Sequence, residues 1–283
     1  MPHFSASDGV RIFYEEAGSG VPIVFAHEFG DNYESWAPQM SHFGRRYRCI
    51  AYAARGFPPS DVPEALEQYS VSRLVKDIGE LMDHLALDRA HLVGVSMGSV
   101  PMLNFALAYP ARVRSLVIGS TGAGVTRDPA QHRARLEAVE ARARDYEMLG
   151  AVEMADRMAN LSVRRSFKAK DPYGWAAFRE RLKKHSAAGC ARTLRGSFLN
   201  RPSVYDQAAE LRAFRVPTLL MFGDDDHPAI EPTLYMREQM PCAGLTVFPW
   251  SGHNLNIEEP AAFNRAVEDF FHAAEQGRWR PAS

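Results

Sequence analysis

Residues 94–98 read Gly-Val-Ser-Met-Gly and close the apolar run "AHLVGVS". A serine between two glycines, where an expected strand gives way to an expected helix, stands on a sharp turn. The glycines avoid backbone clashes there, and the helix start directs its dipole and the Met97 N–H toward a developing oxyanion. A serine hydroxyl is a weak nucleophile near neutral pH, so Ser96 needs a base that is itself oriented by an acid. Two later segments supply partners. "LLMFGDDDHP" offers Asp224, Asp225 and Asp226 just past one apolar run, and "VFPWSGHNLN" offers His253 in a glycine-containing loop past the last one. The chain order is then Ser, Asp, His. His227 reads as a loop residue, and His84, His91, His132, His185 and His272 fall in helical or connecting contexts; none is given chemistry.

His27 and Glu28, in "PIVFAHEFGD", raise a second chemistry. A zinc hydrolase of the His-Glu-x-x-His type needs both imidazoles on one helical face. Here the second histidine position is Asp31, and the pair follows a strand pattern, so no metal is expected. What remains is a scattered donor set of His27, Asp31, Asp226 and His253. Cys49, Cys190 and Cys242 are distant from one another and lack Cys-x-x-Cys spacing, which argues for reduced thiols. No cofactor is implied.

These side chains can meet only if strands and helices bring them together. The runs "RIFY", "PIVFAH", "YRCIAY", "AHLVGVS", "VRSLVIGS", "VPTLLMF" and "LTVFP" read as strands. Between them, "YSVSRLVKDIGELMDHLAL" carries apolar residues at 71, 74, 75, 78, 81, 82 and 85, a helical stripe; "PMLNFALAYP" and "PAAFNRAVEDFFHAAE" are similar. Alternation of this kind predicts an α/β fold with a mostly parallel, doubly wound sheet, whose active sites lie beyond the carboxyl ends of the strands. The alternation stops near residue 120 and resumes near 216. The intervening chain is helical in composition, so a helical unit is inserted late in the sheet. The expected division is a core of residues 1–122 and 212–283 and a helical cap of residues 123–211.

The 283 residues carry a net charge of −1, which gives no overall field for nucleic acid or an acidic membrane. The charge is uneven: residues 125–205 hold 17 Lys and Arg against 9 Asp and Glu. Most of those cations are expected on a solvated surface, with a lid over an anionic substrate as the alternative. No run of 18 apolar residues and no basic-then-apolar leader occurs, so a cytoplasmic protein acting on a small molecule is expected, without membrane or nucleic-acid partners. No heptad repeat demands self-association.

Over nearly its whole length the sequence resembles the α/β-hydrolase superfamily, in particular its capped members, which include esterases, enol-lactonases and carbon–carbon bond hydrolases. The resemblance rests on "GVSMG", on a Gly-x-x-Asp after the next core strand, on "SGH" near the end and on the insertion between them. It implies that Asp226, third after the glycine, is the acid, and that "HEFG" is the oxyanion loop, with the Phe29 N–H joining that of Met97. Two departures stand out. Glu28 occupies a position usually held by glycine, and the Asp of an Asp-x-Arg-Gly motif is replaced by Ala53 while Arg55 remains. The expectation is that Glu28 supplies the carboxylate for Arg55 as a relocated ion pair; the alternative is that Glu28 faces the substrate. The resemblance implies ester-type hydrolysis through an acyl-enzyme. The alternatives are a lactonase or carbon–carbon hydrolase acting on an anionic ring-derived compound, or a ligand-binding protein without catalysis.

Overall fold

Every run expected as a strand lies in one sheet in the computed structural model, which describes residues 2–121 and 126–279. The strands are β1 (His3–Ser5), β2 (Arg11–Ala17), β3 (Val21–Ala26), β4 (Tyr47–Tyr52), β5 (Ala90–Val95), β6 (Val113–Gly119), β7 (Thr218–Gly223) and β8 (Ala243–Phe248). Their spatial order is β1-β2-β4-β3-β5-β6-β7-β8. The first two are antiparallel additions, and everything from β4 to β8 is parallel. The central strand β5 is buried at all six positions, as expected for a strand covered on both faces. β1, three residues long, was not expected from the sequence because it is too short to show a period of two.

The helices are α1 (Ala37–Phe43), α2 (Val71–His84) and α3 (Ser99–Ala108); then α4 (Pro129–Ala159), α5 (Arg165–Lys170), α6 (Pro172–Leu182), α7 (Ala187–Thr193) and α8 (Ala208–Ala213) between β6 and β7; and finally α9 (His227–Gln239), α10 (Leu255–Glu258) and α11 (Pro260–Glu275). α2 begins at Ser70, whose hydroxyl accepts from the Arg73 N–H, and its apolar stripe buries Leu74, Ile78, Leu81 and Met82. Together with α3 it covers one face of the sheet. α1 and α11 cover the other with Phe43, Phe263, Val267, Phe270 and Phe271. Such stacking holds the strands rigidly, so their carboxyl ends are fixed points for side chains.

A helical insertion lies between β6 and β7, late in the sheet as expected, and the expected closing boundary at 211–212 falls inside α8. Its expected starting boundary at 122–123 lies outside the described residues. α4 is broken at Gly150, whose φ of 77° is outside the helical region. The insertion's basic excess is not only a solvated surface. Arg164 pairs with Glu28, Arg181 with Asp31, Lys184 with Glu34, and Lys170 with Glu258 and Glu259, all carboxylates outside the insertion. Among the described residues no helix is long and apolar enough to cross a membrane.

Candidate active site

Ser96 directly follows β5 with a φ of 52°, one of four non-glycine residues at positive φ among the described residues. That backbone is strained for a residue with a Cβ, and strain of this kind persists only where the surroundings enforce it. The two motif glycines show what enforces it here. A Cβ at Gly94 would lie 2.7 Å from the Gly98 carbonyl oxygen, and one at Gly98 would collide with the backbone of Ala26 at the end of β3. The turn is therefore packed directly against the end of β3, where the His27–Gly30 loop begins.

Asp226 lies beyond β7 and His253 beyond β8, so the three side chains come from three strand ends. Asp226 Oδ2 is 2.8 Å from His253 Nδ1, and His253 Nε2 is 2.7 Å from Ser96 Oγ. A carboxylate only accepts, so Nδ1 carries the ring proton and Nε2 is left to accept from the serine hydroxyl. Burial disfavours a charged imidazole, but the charge and hydrogen bond of Asp226, together with the charge of Glu28, outweigh it and hold His253 above the usual histidine range. Asp224 and Asp225 are exposed; Asp224 accepts from the Ser251 N–H instead.

His27 is buried with both ring nitrogens engaged by backbone. The Ala54 N–H donates to Nε2 at 3.0 Å, so the proton sits on Nδ1, which donates to the Glu28 carbonyl at 2.7 Å. Burial pushes this imidazole down to about 4, so it is neutral. Asp31 is held by Arg181 through two hydrogen bonds of 2.7 Å. The donor set considered for a metal is thus divided among other partners, and no group of three or more His, Cys, Asp or Glu is placed to hold an ion among the described residues.

The expected pair of Glu28 with Arg55 does not form. Arg55 turns away from the site into the angle between the β1–β2 turn and α2, where Asp8 and Asp77 each accept from it at 2.6 Å. Two carboxylates already neutralise it there, so Glu28 is free for another role. Glu28 points into the cavity and is bound by Arg164 Nη2 at 3.1 and 2.9 Å, and by a short hydrogen bond from Asn254 Nδ2. Its Oε2 is 3.7 Å from His253 Nε2. Its backbone is not among the positive-φ residues, so the Cβ that replaces glycine here introduces no strain.

A cavity of about 280 Å3 opens beside Ser96. Phe29 forms part of its wall and packs edge-on against Phe57, Tyr146 and Phe198. Of the insertion's aromatic residues and methionines, Met158 and Phe198 reach the cavity, beside Val139, Leu161 and Val163; Met154, Phe167 and Phe178 are buried, and Met148 is exposed. Arg135 and Arg142 of α4 also line it. Arg135 donates to the Phe198 carbonyl, while the Arg142 guanidinium makes no hydrogen bond or ion pair among the described residues. Burial, with Arg164 nearby, lowers the Arg142 pKa. Arg164, Arg142, Arg135 and Asn254 were not identified from the sequence. Asn254 had the signal of adjoining His253; an arginine in a basic helical insertion has none.

The sequence profile of the alpha/beta hydrolase fold matches residues 21–260. The chain belongs to the alpha/beta hydrolase fold family. It is similar to the 2-hydroxy-6-oxo-6-phenylhexa-2,4-dienoate hydrolase of Burkholderia cepacia, at 30% identity over 92% of this chain and 91% of that one. It is also similar to 3-oxoadipate enol-lactonase 2 of Acinetobacter baylyi, at 26% identity over 87% of this chain and 86% of that one. In fold it matches the crystal structure of the enol-lactonase from Burkholderia xenovorans LB400, with a TM-score of 0.84, 23% identity and coverage of 96% of this chain and 100% of that one. Like those relatives, this alpha/beta hydrolase is an enzyme of hydrolysis.

Proposed function

We propose that this hydrolase cleaves an ester-type bond of a small molecule through an acyl-enzyme on Ser96. The observation that carries the reading is the relay Asp226–His253–Ser96, with links of 2.8 and 2.7 Å across three strand ends. His253 takes the hydroxyl proton as Ser96 Oγ attacks the acyl carbon, while Asp226 holds the ring in the tautomer that leaves Nε2 free. The amides of Phe29 and Met97 receive the oxyanion. The same imidazole returns its proton to the leaving group and then activates the water that releases the acid. Residues 123–211 act as a cap on a core of 1–122 and 212–283, and the protein works in the cytoplasm.

A specific observation favours a second reading, a lactonase or carbon–carbon bond hydrolase with an anionic substrate. Arg142 lines the cavity without a carboxylate of its own. A half-buried guanidinium without a paired carboxylate is a ready partner for a substrate carboxylate, which can supply the missing charge. A fluorophosphonate probe tests the first claim: it must label the native protein and fail on Ser96→Ala. A panel of p-nitrophenyl esters with neutral or carboxylate-bearing acyl chains separates the two readings. Fast turnover of the neutral short chains supports the simple esterase, and activity confined to the carboxylate-bearing chains supports the second.

A further inference from the structure

Outside the relay, the most unusual arrangement in the site is a carboxylate beside the wrong edge of the imidazole. Asp226 holds the Nδ1 edge of His253, yet Glu28 stands 3.7 Å from Nε2, the nitrogen that faces Ser96. Glu28 is not left as a bare charge. Arg164, at 2% side-chain exposure, donates to both its oxygens, to Asn254 Oδ1 at 2.9 Å and to the Met158 carbonyl at 2.8 Å. Arg164 comes from the insertion, Glu28 from the loop after β3 and Asn254 from the loop after β8, so one guanidinium joins three separate parts of the chain.

The same part of the insertion also grips the histidine loop through backbone. The His253 N–H donates to the Val163 carbonyl at 2.9 Å. A Cβ at Gly252 would collide with that carbonyl, and one at Gly30 would collide with the Arg164 guanidinium, so both loops leave room for the insertion. We propose that Glu28 and Arg164 are positioning residues for His253. They dock the insertion onto the catalytic loop and place a neutralised carboxylate at the edge of the imidazole that exchanges the proton with Ser96.

Electrostatics gives this pair a signature that simple packing lacks. The groups facing the imidazole are Asp226 beyond β7, Ser96 beyond β5, Glu28 beyond β3 and Arg164 from the insertion. Glu28 in turn is felt by His27, Asp31 and Arg181, and Arg164 by Arg142. The carboxylate favours the imidazolium and the guanidinium opposes it. Removing one or the other must therefore shift proton uptake by His253 in opposite directions.

The inference rests on the serine-hydrolase reading, and fluorophosphonate labelling rates followed against pH test the two separately. If the native protein is not labelled at any pH, the serine-hydrolase reading fails. If it is labelled, the acid limb of the profile is compared in Glu28→Gln and Arg164→Gln. For Glu28→Gln the limb moves to lower pH, and the rate at pH 5.5 relative to pH 8 rises about threefold or more. For Arg164→Gln the limb moves to higher pH and that ratio falls about threefold or more. The double variant returns toward the native limb. Limbs that stay put, or that move the same way in both single variants, overturn the proposal. If melting curves show that Arg164→Gln does not fold, Glu28→Gln decides alone, and an unmoved limb there is sufficient to reject it.

Discussion

Two arginines in this hydrolase are almost fully enclosed, and they have opposite surroundings. Arg55 has Asp77 and Asp8 on its guanidinium, and the Gln68 carbonyl accepts from it as well. None of these groups borders the cavity beside Ser96. Arg164 shares its carboxylate with Asn254, the neighbour of His253, and lies within the field of His253. The first cluster ties the β1–β2 turn to α2 and closes on itself. The second is open on one side to a group that changes charge. A buried ion pair is weak evidence for stability in itself; what differs here is which neighbours sense its charge.

The largest effect that would sharpen this contrast belongs to the relay. His253→Ala should lower the fluorophosphonate labelling rate by at least about 10³-fold with little change in melting temperature. Asp77→Ala should do the reverse. It leaves Arg55 with Asp8 alone and should destabilise by about 1.5–3 kcal/mol in urea unfolding, as for a lost hydrogen bond to a charged group, while the folded fraction labels at the native rate. If Asp77→Ala instead altered the pH profile of labelling, the division between the two clusters would fail. Arg142→Ala should raise KM about tenfold or more for carboxylate-bearing acyl esters and leave neutral ones unaffected, as expected for a lost charge-assisted contact.

Acid should separate the two regions more gently. His27 and His185 are pushed down by burial, to about 4 and about 3. Between the ordinary histidine value near 6.5 and those values only the unfolded chain takes up their protons, so stability falls as pH falls across that window. His253 has the opposite sign. Its raised value gives stability that is present in acid and lost as pH rises through it. Burial opposes ionisation of Asp8, but the hydrogen bond and charge of Arg55 outweigh it and hold the carboxyl at about 2, so its contribution is lost only as pH falls below about 4 toward that value. Urea titrations at a series of pH values should therefore show a loss beginning well above pH 4, and His27→Gln should flatten that early part.

The sheet and its main helices were legible because strands and helices announce themselves through local periodicity. The α2 stripe at 71, 74, 78, 81 and 82 is an instance. Ser96 and His253 were legible because each sits in a glycine-marked turn at a strand end; Asp226 was separated from Asp224 and Asp225 only by the resemblance to the family, and the structure brings the three into hydrogen-bonding distance. The partner of Arg55 was not, because neighbouring strands say where two Cα atoms lie and nothing about which way a long side chain leaves them. Glu28 and Arg164 are 136 residues apart, and no local pattern relates a loop glutamate to one cation among the 17 of a basic segment.

The hydrogen bond from the His253 amide to Val163 bears on any attempt to re-engineer this enzyme by exchanging its insertion for that of a relative. A transplanted segment would bring new pocket walls, and it would also withdraw a strut from beneath the His253 loop. The lining of the cavity and the seating of His253 are therefore inherited together in this architecture, and a graft that keeps residues 161–166 native is the one in which they can be varied separately.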